Sequence, residues 1–342
     1  MNLQLIKKFA FLFVASFAIV SCNDDDEVTP TETSAMLYAT NNSDGDITQY
    51  NVENISDVKM MKFTTTSSAA DGIYYDKDKD ELVQASRTSF GLEGFSNIST
   101  LTSSIAVEID LGMLGTTKMD NPREMAVKGN FYVVADSKDV DDDAQTPDGR
   151  FFVYERKSTG FELRNIITTN IKLWGITFIG NDLYAVVDAD DELAVYQDFL
   201  NTTNTTTMMP TKRVVVEGIV RTHGIAYDAN TNTMVMTDIG SATNTADDGG
   251  FHIIKNFSSK FAATANNGKI AVGDQIRVAG AATLMGNPVD VAYDGEKDIV
   301  YIAEAGNGGG RILAFNNASA GGNMTPVFNS ALAAASSVYL QK

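Results

Sequence analysis

Asp71, Arg123, Glu124, Trp174, His223 and Asp290 could do chemistry together if the fold brings them to one point. Each stands at or just before the start of an alternating apolar run, and Ser336 takes the same place near the end of the chain. Carboxylates, a guanidinium, an imidazole and the only tryptophan would make a polar pocket with one aromatic platform, which suits a small-molecule site. His223 could shuttle a proton or ligate a metal near neutral pH. Trp174 could stack a sugar or another planar ligand. The plainer alternative is that these residues only mark where strands begin and where channel water sits. For His223 that alternative is a hydrogen-bonded structural histidine. His252 falls inside a third strand and reads as cross-strand packing.

These positions share their surroundings because the chain repeats itself. About every 50 residues a small or polar residue opens an apolar run, a period that means stacked or radial units. The copies are Gly72-Ile73-Tyr74-Tyr75-Asp76, Glu124-Met125-Ala126-Val127, Gly175-Ile176-Thr177-Phe178, Gly224-Ile225-Ala226-Tyr227-Asp228 and Asp290-Val291-Ala292-Tyr293-Asp294. A second run follows each, beginning at Leu82, Phe131, Leu183, Met234 and Ile299. A polar residue closes it at the same place: Ser86, Asp136, Asp188, Asp238 and Glu304. Side chains of this kind accept backbone N–H bonds in the following turn, and their recurrence argues for that structural task. Third runs begin at Arg150, Glu192, Phe251 and Arg311, and weaker fourth strands read at residues 105–109 and 213–216. Short β-branched and aromatic runs are strands, and four per repeat make a propeller blade.

The two ends complete each other. Residues 36–41 match the second strand of a blade and residues 46–50 its third, but the first is missing. Ser337-Val338-Tyr339-Leu340 has the form of the missing strand. The fold class is therefore all-β: a six-bladed β-propeller closed by pairing of the N- and C-terminal strands, with seven or five blades as the alternatives. Closure removes the open edges that would invite aggregation. An alanine-rich stretch at residues 331–335 could make one helical turn before the last strand.

The first residues are an address. Lys7 and Lys8 precede an unbroken apolar run at residues 9–20, too short to span a bilayer as a mature helix. Ile19-Val20-Ser21-Cys22 resembles a bacterial lipobox, with residues 1–21 as the signal and Cys22 as the lipidated residue. Cys22 is the only cysteine, so the mature fold has no disulfide, thiol nucleophile or cysteine metal site. Asp24, Asp25, Asp26 and Glu27 resemble the surface-export signal of Bacteroidetes lipoproteins, within an acidic tether and linker at residues 22–35. The expected place is the outer membrane, held by the lipid anchor and displayed at the cell surface, with the periplasmic face as the alternative. The propeller then occupies residues 36–342. A net charge of −18 argues against nucleic acid and anionic headgroups as partners and favours cationic ligands or divalent metal.

The Gly-Ile-Ala-Tyr-Asp phrase at residues 224–228 and Tyr-Ile-Ala-Glu at 301–304 resemble the six-bladed propellers of the NHL-repeat and gluconolactonase-like (senescence-marker) superfamily. The resemblance covers residues 36–340 and implies the fold; it says little about activity. In gluconolactonases a glutamate, an asparagine and an aspartate hold a divalent cation at the channel mouth. The resemblance makes Glu124 and Asp290 candidate ligands for Ca²⁺ or another divalent cation, with His223 as base. The family's first-blade glutamate and inner-strand asparagine find no place here, so no catalytic role is carried over. The leading expectation is a non-catalytic module binding a small molecule, glycan or protein; the alternative is a metal-dependent lactonase or hydrolase. A lyase resembling the streptogramin lyases is a further class.

Two loops are unusually acidic: one holds Asp139, Asp141, Asp142, Asp143 and Asp148, the other Asp188, Asp190, Asp191 and Glu192. Neither has EF-hand spacing, and a solvated loop is the plainer reading. Phosphate-cradling, His-Glu-x-x-His and Gly-x-Ser-x-Gly motifs are absent.

Overall fold

The computed structural model describes residues 35–102 and 106–342. The signal, Cys22 and Asp24 to Glu27 lie outside the described residues. The described strands form six sheets, each built on four antiparallel strands, in chain order in blades 2 to 6. The first strands of blades 2 to 6 are Ala70–Asp76, Pro122–Lys128, Leu173–Ile179, Ile225–Asp228 and Pro288–Asp294. Blade 1 takes its first strand, Ala335–Gln341, from the far end of the chain and its second, Met36–Asn41, from the near end. The two run antiparallel, with Leu37 opposite Leu340, Tyr38 opposite Tyr339 and Ala39 opposite Val338.

Second strands are buried on both faces because a neighbouring blade covers each side. Glu81–Ser86, Thr233–Asp238 and Ile299–Glu304 are buried at every position. This explains their unbroken apolar runs, where a half-exposed strand would alternate. The core is accordingly divided into six clusters, one between each pair of adjacent blades. One of these packs Leu37, Ala39 and Val338 against Tyr301 and Ile312, so the ring closes through packing as well as through strand pairing. The acids that end several first strands cap the hairpins: Asp228 accepts from Thr231 N at 2.8 Å, and Asp294 from Glu296 N at 3.1 Å.

Two local expectations change. The repeat pattern assigns residues 105–109 to the close of the blade that precedes them. Instead Ala106–Glu108 runs parallel to Lys59–Thr64 as a fifth strand on blade 1. The fourth strand of blade 2 is the short Met113–Leu114. The long connection between the third and fourth strands of blade 2 thus covers the open edge of blade 1, and the matching connections of blades 4 and 5 do the same for blades 3 and 4 at Thr206–Thr207 and Gly268–Ile270. In the alanine-rich stretch, Phe328–Ala331 is a strand and only residues 333–334 turn. No helix among the described residues is long and apolar enough to cross a membrane.

Candidate functional site

The opening residue of the repeated phrase faces the channel axis, where first strands converge. In blades 2, 4 and 5 it is Gly72, Gly175 and Gly224, and in blades 3, 6 and 1 it is Glu124, Asp290 and Ser337. A Cβ on Gly175 would lie 2.3 Å from His223 O, and one on Gly224 would lie 2.6 Å from Asp290 Cα. Three glycines let the backbones approach, and the space left at the axis takes three polar side chains.

Those three meet. Ser337 Oγ lies 3.1 Å from Glu124 Oε2 and 2.8 Å from Asp290 Oδ2. Val338 N donates to Asp290 Oδ2 at 2.8 Å, and Met125 N to Glu124 Oε1 at 2.8 Å. Burial raises the pKa of both carboxyls. For Glu124 the nearby Asp290 charge adds to it and holds the group well above the usual carboxylate range. The pair therefore tends to keep one proton between them.

A cavity of about 260 Å³ begins at Glu124 and Asp290 and follows the first strands towards their C-terminal ends. Near the acids its walls are buried, at Ile73, Ile176 and Val291. Farther along, Thr177, Phe178, Tyr227 and Leu340 are only half-buried, so the cavity opens at that end.

The residues one position earlier form a separate layer. Asp71, Arg123, Trp174 and His223 come from blades 2, 3, 4 and 5 in turn and do not line the cavity. The Arg123 guanidinium carbon lies 3.9 Å from the Trp174 ring centre. The His223 imidazole stacks on Trp174 at 3.6 Å and 5°. The indole is thus flanked by its neighbours on either side in the ring, and the platform expected for a planar ligand is already occupied. Arg123 and Arg87 each approach Asp71 Oδ2 at 3.6 Å. Burial raises the Asp71 pKa, against the pull of those two cations. Ser336 donates to Ala70 O at 2.5 Å and stays in the backbone framework.

Asp188 is the member that sequence reasoning missed. Asp136, Asp238 and Glu304 cap turns as expected; Glu304 alone accepts from Gly286, Asn287, Gly306 and Asn307 N. Asp188 instead takes His223 Nε2 at 3.1 Å, Arg221 Nη2 at 2.7 Å and Lys172 Nζ at 3.0 Å. Burial would raise its carboxyl, but the His223 hydrogen bond and the Arg221 and Lys172 charges hold it below its ordinary value. Arg221 and Lys172 lie just upstream of first strands, a signal the repeat could have supplied. His252 is buried as expected, with Nδ1 2.7 Å from Gln275 Oε1.

Asp139, Asp141 and Asp148 bring one oxygen each within 4.8 Å of one another. Asp148 accepts from Val140 N and Asp141 from Asp143 N, so the loop uses these carboxylates on its own backbone.

Solved structures share this architecture. A Bacteroides fragilis protein provisionally described as a 6-phosphogluconolactonase aligns over 92% of this chain and 99% of its own, at 10% identity and TM-score 0.59. A chain of a nidogen–laminin complex aligns over 90% and 98%, at 13% identity and TM-score 0.56. The fold is shared; at these identities nothing more is. Neither a protein-family model nor a curated protein matches the sequence.

His223 carries a pH signature. Burial pushes its pKa from 6.5 down to about 4, against the pull of Asp188. The neutral ring stabilises the fold fully above pH 6.5, and that stability is lost as pH falls through about 4. The full loss is about 3 kcal/mol. His223→Gln should therefore remove a drop of that order between pH 7 and pH 4, read as the change in the variant-to-parent gap in urea unfolding. A constant gap would show that the imidazole is not held neutral.

Proposed function

We propose that this propeller is a binding module that admits a small ligand to its axial cavity, with Glu124 and Asp290 as the recognition groups. The observation that carries this is the convergence of the buried Asp290 carboxyl, the half-buried Glu124 carboxyl and the Ser337 hydroxyl at the closed end of a cavity. Pockets that bind small molecules pair apolar walls with a few convergent polar groups. Trp174, next to Gly175 of the axial layer, is a single-indole reporter. A metabolite pool should contain a compound that shifts its fluorescence and raises the melting temperature, with both effects lost in Asp290→Asn. If hits are indifferent to Asp290→Asn, the axial reading fails.

A metal-dependent lactonase is the second reading, favoured by the same convergence of hard oxygen donors. Glu124 and Asp290 would hold the cation, and it would polarise a lactone carbonyl. The fit is partial. Ca²⁺ takes six to eight oxygens, and no third carboxylate lines the cavity among the described residues. On the binding reading, millimolar Ca²⁺ or Mn²⁺ leaves the melting temperature unchanged. A rise that Asp290→Asn abolishes would favour the lactonase, because a ligand of the native state stabilises it. The N-terminal features support an accompanying proposal: Cys22 is acylated and tethers the propeller to the outer membrane. Mass spectrometry of the membrane-extracted protein tests it, and a free Cys22 thiol would reject it.

A further inference from the structure

We propose that the ligand of the axial cavity is a compact organic cation, its ammonium N–H groups held by Glu124 and Asp290; this rests on the binding reading above.

The hydrogen-bond inventory points that way. Two carboxyls present four oxygens, and an ionised one only accepts. The donors given to them are the N–H groups of Met125, Val291 and Val338, the Ser337 hydroxyl that lies between both, and the one proton the carboxyls share. The shared proton and the Ser337 hydroxyl proton are spent among these three groups, and the carboxyls keep one net negative charge. The closed end therefore has acceptor capacity left and no free donor, and a ligand that reaches it must bring N–H or O–H groups. Of the lining tyrosines, Tyr227 donates to Asn232 Oδ1 at 3.0 Å, Tyr293 donates to Asp298 Oδ1 at 3.1 Å, and Tyr74 and Tyr339 bond each other.

Charge narrows the class further. No lysine, arginine or histidine lines the cavity among the described residues. Arg123 belongs to the layer behind and bonds Ser137 Oγ at 3.0 Å while covering Trp174, and Lys342 pairs with Asp294 at 2.7 Å. An anionic ligand would meet two acids with no counter-charge, a costly arrangement in a buried site. A neutral ligand would leave the net negative charge of the proton-sharing pair without a counter-charge. A monocation balances that charge and supplies the missing donors. The first strands add to this, because each is the innermost strand of its sheet and its inner edge pairs with no other strand. Carbonyls along that edge can take remaining ammonium protons. Ile73, Ile176 and Val291 would contact the apolar part of the ligand, and the volume limits it to a compact group.

Benzylammonium, benzyl alcohol, benzoate and Ca²⁺ alone are suitable probes, measured by calorimetry and thermal shift on the full propeller. Benzylammonium should bind at least about ten-fold more tightly than benzyl alcohol, and benzoate should not bind. Asp290→Asn should reduce benzylammonium affinity by about ten-fold or more and leave benzyl alcohol unchanged. Glu124→Gln provides the same reading if Asp290→Asn proves unfolded by its melting curve. Benzyl alcohol binding as tightly as benzylammonium would overturn the cation class and leave the cavity reading standing. Stabilisation by Ca²⁺ with no response to benzylammonium would replace the organic cation with a metal. If no probe binds and Trp174 fluorescence does not move, the cavity reading itself falls.

Discussion

A chain ending at residue 334 should lose cooperative unfolding. Ala335–Gln341 is the first strand of blade 1, and six of its residues pair with residues 36–41. Its removal bares Leu37 and Ala39, both fully buried, and opens the core cluster they share with blade 6. It also removes Ser337 and Val338 N, which bond the buried Asp290 carboxyl. Lost apolar burial, an unpaired edge and a stranded carboxyl together should cost more than about 5 kcal/mol, comparable with the whole stability of many domains. Circular dichroism should show a broad or absent melt. A permuted chain is the control. Gln341 lies opposite Met36, so a short hairpin turn joining them should restore the melt in a chain opened elsewhere. If the truncated protein melts within a few degrees of the parent, closure by the terminal strands does not hold the ring.

Gly175→Ala should be the most damaging single-methyl change in the channel. The added carbon would sit 2.3 Å from the backbone oxygen of His223 and 3.0 Å from Ile225 Cγ2. Backbone cannot swing aside like the tip of a side chain, so blades 4 and 5 would have to separate. Gly175 N also donates to His223 O at 2.9 Å, and that bond would lengthen with the separation. Overpacking of this kind costs roughly 1–3 kcal/mol, and a rigid backbone neighbour argues for the upper end. Gly273→Ala is the matched control, because a Cβ there would meet nothing within 4 Å and the backbone φ is ordinary. Urea unfolding of both should show a large loss for Gly175→Ala and almost none for Gly273→Ala. Equal losses would mean that the strands at the axis have room to spare.

The chemistry is only half legible in the order of residues. Glu124 and Asp290 stand out because they occupy a place where Gly72, Gly175 and Gly224 stand in other blades. Ser337 occupies it too, and the same comparison would have picked it in place of its neighbour Ser336. Asp71, Arg123, Trp174 and His223 stand one residue earlier, and about 3.3 Å of rise per residue is enough to put them in another layer. Asp188 resembles the turn-capping acids in sequence. Only the presence of Lys172, Arg221 and His223 around it turns it towards the ring.

Blade count, closure and hairpin acids are written in the sequence itself, because they depend on local periodicity and on turns a few positions long. The assortment of polar groups is not. Glu124 meets Asp290 because blades 3 and 6 face each other across the axis, and Trp174 is covered because blades 3 and 5 flank blade 4. Those contacts join residues far apart along the chain, and only ring closure determines which side chains share the centre.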